Sequence, residues 1–261
     1  MKRFLLTSCT GIALALGGCA TAGTPDADTA AVSTPAAPSG PALWKVADED
    51  TTIYLFGTVH VLPADVEWYD EDIAAALENA DTLVTEIPAD AMKDPALQAA
   101  IMQKAMLPEG QTLRQMLSAE DRAVYEQALG KLGMPPAAFD RFEPWFAGMT
   151  LSVLPLIKKG YDPESGVEKI VEAAASKTAQ RAALETVGQQ IDFFDTLPME
   201  SQTEFLMALA RDLDGMVTMM DEMVAEWLEG DADGLAEIMN KSMTDPAVAA
   251  ALLYNRNERW A

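Results

Sequence analysis

The sequence predicts an α/β fold: a small mixed β-sheet with an N-terminal hairpin and a βαβ unit, surrounded by a largely helical remainder. Three observations carry this. Leu43–Val46 and Thr51–Phe56 are β-prone runs separated only by a loop around Asp48-Glu49-Asp50, which is a hairpin pattern. Thr51–Phe56 is followed by a helical period and then by a third β-prone run, Thr82–Ile87, so strand, helix and strand alternate. From Ala91 onward, apolar residues recur mostly at helical spacing.

In chain order the first element is an address. Lys2 and Arg3 precede an apolar run from Phe4 to Leu16, too short to cross a bilayer comfortably and of the length of a signal-peptide core. The run ends in Leu16-Gly17-Gly18-Cys19, which resembles a bacterial lipobox. The resemblance implies that residues 1–18 are a signal peptide, that cleavage falls before Cys19, and that acylation of Cys19 anchors the protein to a lipid membrane. Several acyl chains hold where one is marginal. Ala20 stands where an Asp would resemble inner-membrane retention, so the expected location is the bacterial cell envelope, as an outer-membrane lipoprotein facing the periplasm. The rival reading is plain secretion to the periplasm, with Ala20-Thr21-Ala22 as the cleavage site. Residues 19–42 are rich in Ala, Thr, Pro, Ser and Gly and read as a flexible tether. The folded domain is expected over residues 43–261.

Inside that domain, Asp70 to Ala80 reads as a helix with acids in its first turn and Ile73, Ala76 and Leu77 on one face. Thr82–Ile87 is a strand stopped by Pro88. Ser118-Ala119-Glu120-Asp121 reads as a helix start, and Leu129-Gly130 with Gly133 as its end. Pro144 to Ile157 reads as a buried helix, Glu164 to Ser176 as another, and Arg181–Leu184 as a short strand. From about Gln189 the chain is a series of amphipathic helices punctuated by Pro198, Gly215, Gly230, Gly234 and Pro246. Met216, Met219, Met220 and Met223 fall at helical spacing and read as core or a helix seam. Asp231-Ala232-Asp233-Gly234 reads as a helix cap, since the remaining oxygens of a calcium loop are missing.

Composition narrows the function. The chain has 261 residues with 41 Asp plus Glu, 18 Lys plus Arg, two Cys and one His, for a net charge of −23. Such a chain has nothing to neutralise phosphates, so nucleic acid is not a partner. Two cysteines cannot staple a domain of this size, and one of them, Cys9, lies inside the expected signal. A single histidine excludes a zinc site built from several histidines of this chain.

That histidine is the first place to look for chemistry. Gly57-Thr58-Val59-His60 follows directly on a β-run. A strand–helix–strand crossover makes Thr51–Phe56 and Thr82–Ile87 parallel, which places His60 and Glu86 at the same carboxyl edge of the sheet. Glu86 ends an apolar strand, and a buried carboxylate there needs a cation, a donor or a metal. Glu185 ends the Arg181–Leu184 run; it either approaches Glu86 as a paired acid or bonds to Gln189 or Gln190. Arg256 is either a partner for Glu86 or a surface helix cation.

The ordered set of segments resembles a known family. Leu43-Trp44-Lys45-Val46, Ile53-Tyr54-Leu55-Phe56-Gly57-Thr58-Val59-His60 and Ala80-Asp81-Thr82-Leu83-Val84-Thr85-Glu86 are similar to the start of TraB/GumN-type domains. Gly160-Tyr161-Asp162 with Gly166-Val167-Glu168, then Leu184-Glu185-Thr186-Val187-Gly188-Gln189-Gln190, then Arg256-Asn257 with Trp260, continue it in order. That family is related to the Tiki metalloproteases and, more distantly, to erythromycin-esterase-like and haem-binding ChaN-like proteins. The resemblance implies that Gly57 and His60 form a first Gly-x-x-His motif, that Glu86 is the acid after the second strand, and that Arg256 and Asn257 are a late Arg-Asn pair. It implies a divalent metal such as Mn²⁺ or Co²⁺ between them, with His60 and Glu86 as ligands, or as ligand and base, for hydrolysis of a peptide or small-molecule substrate. A second Gly-x-x-His is expected after the Arg-Asn helix, and the sequence reaches Arg259-Trp260-Ala261 without it. The expectation is therefore either a chain cut short or a pseudoenzyme that binds a peptide or other ligand without turnover. Haem or metal carriage is the third reading.

Overall fold

The structure is a computed structural model, and it describes residues 2–8, 40–242, 246–250 and 254–260. Cys9, Cys19 and the tether up to residue 39 lie outside the described residues. The fold is mixed α/β, with a small sheet and a predominantly helical remainder.

The hairpin forms as its sequence demands. β2 (Leu43–Ala47) and β3 (Thr52–Thr58) are antiparallel, with Leu43 opposite Phe56 and Ala47 opposite Thr52. The Asp48 carboxylate closes the turn by accepting from the backbone N–H of Thr51 at 2.7 Å and of Asp50 at 3.2 Å. α1 (Glu71–Asn79) starts where Asp70 accepts from the Ile73 N–H at 2.8 Å, and it buries Ile73, Ala76 and Leu77. β5 (Thr82–Thr85) follows, and β7 (Gln180–Ala183) pairs parallel with it, Thr85 opposite Ala183. A separate two-residue ladder joins β4 (Leu62–Pro63) to β6 (Tyr161–Asp162).

One feature departs from the expected topology. β3 and β5 are parallel but not neighbours. Residues Lys2–Ser8, read from sequence as the start of a signal peptide, form β1, which lies between them and is parallel to both. The sheet order is β2-β3-β1-β5-β7. Periodicity marks a strand but is blind to its neighbours, so this placement was not legible locally.

The helices account for the rest. α2 (Pro95–Lys104), α3 (Leu113–Met116) and α4 (Ala119–Lys131) precede the long α5 (Pro144–Lys159). Ser118 caps α4 as expected, but the helix runs through Gly130 to Lys131. α5 stops at Gly160, whose φ of +106° favours glycine. α6 covers only Val167–Ala174, because Pro163–Ser165 forms a separate 3₁₀ turn capped by Asp162. α7 (Val187–Asp195), α8 (Met199–Arg211), α9 (Leu213–Glu229), α10 (Ala232–Ser242), α11 (Pro246–Ala249) and α12 (Asn255–Trp260) follow. Asp231 caps α10, its carboxylate accepting from the Gly234 N–H at 2.8 Å. Met216 and Met220 of α9 pack against the main core, as a core stripe should.

That core joins the sheet to α1, α6 and α9 through Phe56, Leu83, Ile73, Leu77, Val171 and Trp227. Burying each large apolar side chain is worth roughly 1.5–3 kcal/mol. A second core binds α4, α5 and α8 around Tyr125, Leu151 and Leu206, and a third joins α2, α5 and α7 around Trp145 and Ile191. Among the described residues no helix is long and apolar enough to cross a membrane.

Candidate active site

Parallel strands bring their carboxyl ends to one edge, and β3, β5 and β7 do so here. Glu86 is the first residue past β5. Glu185 stands two past β7 and remains in register with it, its N–H donating to the Glu86 carbonyl at 2.9 Å. Both carboxylates are buried. Arg256 of α12, also buried, answers both: its Nη2 donates to Glu185 Oε1 at 2.5 Å and to Glu86 Oε2 at 3.1 Å. Gln190 of α7 adds a donation from Nε2 to Glu86 Oε2 at 3.0 Å. The guanidinium carbon lies 4.5 Å from the Trp260 ring centre and 5.2 Å from that of Phe193, so it is held by π faces as well.

Two carboxylates against one guanidinium leave this cluster a net negative charge. It is also incompletely satisfied. Among the described residues, Glu185 Oε2, Arg256 Nε, Asn257 Oδ1 and Trp260 Nε1 are buried without a hydrogen-bond partner. Such groups are costly unless something else meets them.

His60 sits beside the cluster. Its Nδ1 lies 2.7 Å from Glu168 Oε1, and the Thr58 hydroxyl donates to the same carboxylate oxygen. Glu168 is the second residue of α6, and the chain entering that helix is pressed onto the His60 loop. The Val167 N–H donates to the Val59 carbonyl at 3.0 Å, and a Cβ on Gly166 would come within 2.2 Å of the His60 carbonyl oxygen. Only glycine permits that approach. The protein packed around the half-exposed imidazole disfavours its charged form, but the hydrogen bond and charge of Glu168, helped by Glu86 and opposed by Arg256, raise its pKa above the usual histidine value. Burial likewise pushes Glu168 up, and the hydrogen bond and charge of His60, with the Thr58 hydroxyl, bring it below the usual glutamate value.

The structure therefore brings together His60, Glu86, Glu185 and Arg256. It places Asn257 next to Arg256 on α12, with its side-chain oxygen buried. Gly57 contributes backbone: its carbonyl accepts from Trp227 Nε1 at 2.9 Å, which ties the motif to α9. Cys19 lies outside the described residues. Glu168, in sequence only a landmark of the family resemblance, holds His60 together with Thr58, and Gln190, in sequence one option for Glu185, bonds to Glu86. A glutamate two residues after a buried-loop glycine was the available signal.

The donors can be weighed against the divalent ion that the resemblance implies. An imidazole whose Nδ1 is engaged by a carboxylate is the usual setting of a metal-ligating histidine, since the carboxylate fixes ring and tautomer. Glu185 Oε2 supplies a buried anionic oxygen. Both features fit. Arg256 meanwhile already neutralises much of the two carboxylates, and among the described residues no three His, Cys, Asp or Glu side chains converge as a ligand set. The residues present thus fit an ion held by few protein ligands, which means low affinity.

Comparison with known proteins agrees with this layout at the level of family. No curated protein and no solved structure matches the chain. The model of the TraB/PrgY/gumN family matches residues 42–261. That span runs from the hairpin strands through His60 and Glu86 to Arg256 and Asn257 on α12, and on it the chain belongs to the TraB/PrgY/gumN family.

Proposed function

We propose that this protein is an exported, lipid-anchored hydrolase of the bacterial outer membrane, acting in the periplasm on a peptide or related small-molecule substrate with help from a divalent metal ion. The observation that carries this is the His60–Glu168 pair, set at the same sheet edge as Glu86 and Glu185. His60 and Glu86 would hold the ion, with Glu185 Oε2 as a further oxygen. When bound, a divalent ion such as Mn²⁺ or Co²⁺ polarises the scissile bond and acidifies water. The chain's own residues do the rest. Glu168 orients the imidazole, Arg256 keeps Glu86 and Glu185 in place, and Glu86 serves as ligand or as the base that takes up a proton.

A second reading is a non-catalytic peptide-binding or regulatory lipoprotein. It is favoured by the guanidinium of Arg256, which occupies the carboxylates that a catalyst would use. One experiment separates the two. Mn²⁺ is titrated into the full chain by electron paramagnetic resonance, and peptide-library cleavage is followed by mass spectrometry. The hydrolase reading expects weak Mn²⁺ binding and Mn²⁺-dependent cleavage, both lost in His60→Ala. Cleavage unchanged in that variant overturns it, and metal binding without cleavage favours the second reading. For the anchor, Cys19→Ser is expected to move the protein from the membrane fraction to the soluble periplasm.

A further inference from the structure

The contacts beneath His60 carry an inference that deepens the proposed function; its last step, the meeting of His60 with an ion or substrate, rests on the reading that this residue acts there. Thr58 closes β3, and strand alternation sets it on the same side as Phe56, the side on which Val167 and Val171 of α6 join the core. Glu168 follows Val167 in the first turn of that helix. The hydroxyl of Thr58, a residue only 1% exposed, donates to Glu168 Oε1, and His60 Nδ1 lies 2.7 Å from the same oxygen. One carboxylate oxygen is thus held from two sides, by a strand residue on the buried side and by the imidazole on the open side.

The two donors differ in what they fix. A glutamate carboxylate turns readily about its last torsion, which is broad and two-fold. Held only by His60, whose side chain is 54% exposed, it would exchange its oxygens and share them with water. Thr58 removes that freedom, because a β-branched side chain is itself stiff about its first torsion. The backbone on either side of it is pinned as well. The Gly57 carbonyl accepts from Trp227 Nε1 at 2.9 Å, and the Val59 carbonyl accepts from the Val167 N–H at 3.0 Å. An ionised carboxylate can only accept, so the ring nitrogen that faces it carries hydrogen. In neutral imidazole the other nitrogen then bears the lone pair. Free histidine in water prefers the opposite form, with hydrogen on Nε2, so this one has to be imposed.

We propose that Thr58 is a positioning residue: by fixing Glu168 Oε1 against Nδ1 it holds His60 in the Nδ1–H tautomer and makes Nε2 the nitrogen through which His60 acts. In a metal-assisted reaction Nε2 would be the ligand atom, and the carboxylate behind Nδ1 sets ring orientation and basicity. The Thr58 hydroxyl touches neither ion nor substrate; its influence passes through Glu168 to the ring. Roles are thereby divided within Gly57-Thr58-Val59-His60. Gly57 and Val59 tie the segment to α9 and α6 through their carbonyls, Thr58 sets the carboxylate, and His60 presents the lone pair. The hydroxyl of Thr58 governs the tautomer, and its methyl group contributes only packing.

The test uses the full metal-free chain, isotope-labelled at its histidine nitrogens, as wild type, Thr58→Val and Thr58→Ser. The first substitution keeps the branched shape and loses the hydroxyl; the second keeps the hydroxyl and loses the methyl. Long-range proton–nitrogen correlation spectra are recorded at a pH alkaline enough for the imidazole to be neutral, where protonated and bare ring nitrogens are widely separated in shift. The wild type is expected to show Nδ1 as the protonated nitrogen. Thr58→Val is expected to bring up the Nε2–H form. Thr58→Ser is expected to restore the wild-type pattern even as loss of the buried methyl lowers its thermal midpoint. Mn²⁺ affinity, read by electron paramagnetic resonance, is expected to fall about 10-fold in Thr58→Val and to recover in Thr58→Ser. A wild type with hydrogen on Nε2 overturns the proposal. So do nitrogen shifts that are the same in Thr58→Val as in the wild type, or a Thr58→Ser spectrum that matches Thr58→Val, which would show packing acting in place of hydrogen bonding. The tautomer is read without metal or turnover, so a wild type locked with hydrogen on Nδ1 that binds no Mn²⁺ counts against the metal-assisted hydrolase alone.

Discussion

His60 is the one histidine of these 261 residues, so in this chain it offers a single imidazole signal by NMR. Its Nδ1 contact with Glu168 raises its pKa, while Glu168 is held below the usual carboxylate range. The signs define a window. The raised histidine contributes stability below its unfolded value of about 6.5 and loses it as pH climbs through the folded value; the lowered glutamate contributes above about 4.5 and loses it as pH falls through its own. The pair is strongest between those limits, and because more than half of the His60 side chain is exposed, at 54%, it is worth no more than about 1 kcal/mol. In metal-free protein, Glu168→Gln should lower the His60 midpoint while leaving the thermal midpoint nearly unchanged. An unmoved midpoint would remove Glu168 from its orienting role. Arg256→Met should behave in the opposite way. It strands two buried carboxylates and should cost about 3–5 kcal/mol in urea unfolding, with part of the loss recovered by adding Glu185→Gln. A loss no larger than that of an exposed arginine would mean the carboxylates find another partner.

At the scale of elements, the tight passage is the entry to α6. Gly166 lies against the His60 carbonyl, and the Val167 N–H donates to Val59, so the first turn of α6 and the His60 loop are one unit. Gly166→Ala would place a methyl group against backbone, where no side chain can yield. The loops must part, at a cost of about 2 kcal/mol or more by chemical denaturation. Glu168 would be carried off with them, so the His60 midpoint should fall as it does in Glu168→Gln. Destabilisation without that fall would show that the two loops move independently. The same elements show how much was legible beforehand. Local chemistry was readable: the Asp48 turn, the Asp70 cap, the inward face of α1 and a carboxylate at the end of β5. The short β7 and the approach of Glu185 to Glu86 were readable as options, because a strand ending in an acid has few uses. Pairing between distant segments was not. Nothing within Lys2–Ser8 distinguishes a signal core from a central strand, since both are short apolar runs, and nothing near Gly166 says which loop it will touch.

Across the whole molecule, charge sets the background against which these local terms act. With 41 acidic and 18 basic residues, one-to-one pairing leaves 23 acids over, and many bases are already engaged, as Lys104 is with Asp192 and Asp195 and Arg114 with Asp140 and Glu126. The two contributions respond to salt in opposite directions. Screening weakens each exposed pair, which is worth about 0.2–1 kcal/mol at most, and it also weakens the diffuse repulsion among the surplus acids. Bidentate geometry protects the Arg114–Asp140 contact, whose two bonds measure 2.8 and 2.7 Å, and burial protects Arg256 with its glutamates, so the strongest pairs lose least. Repulsion acts over a longer range and should dominate the change. Raising NaCl from 20 to 300 mM shortens the screening length from about 20 Å to about 6 Å, which removes repulsion between neighbouring helices while sparing contacts under 4 Å. The thermal midpoint should therefore rise by about 2–4 °C for a net gain near 1 kcal/mol, read by scanning calorimetry in a non-chelating buffer at pH 7.5. A midpoint that falls over this range would mean that the surface ion pairs, rather than the surplus of negative charge, govern the stability of the fold.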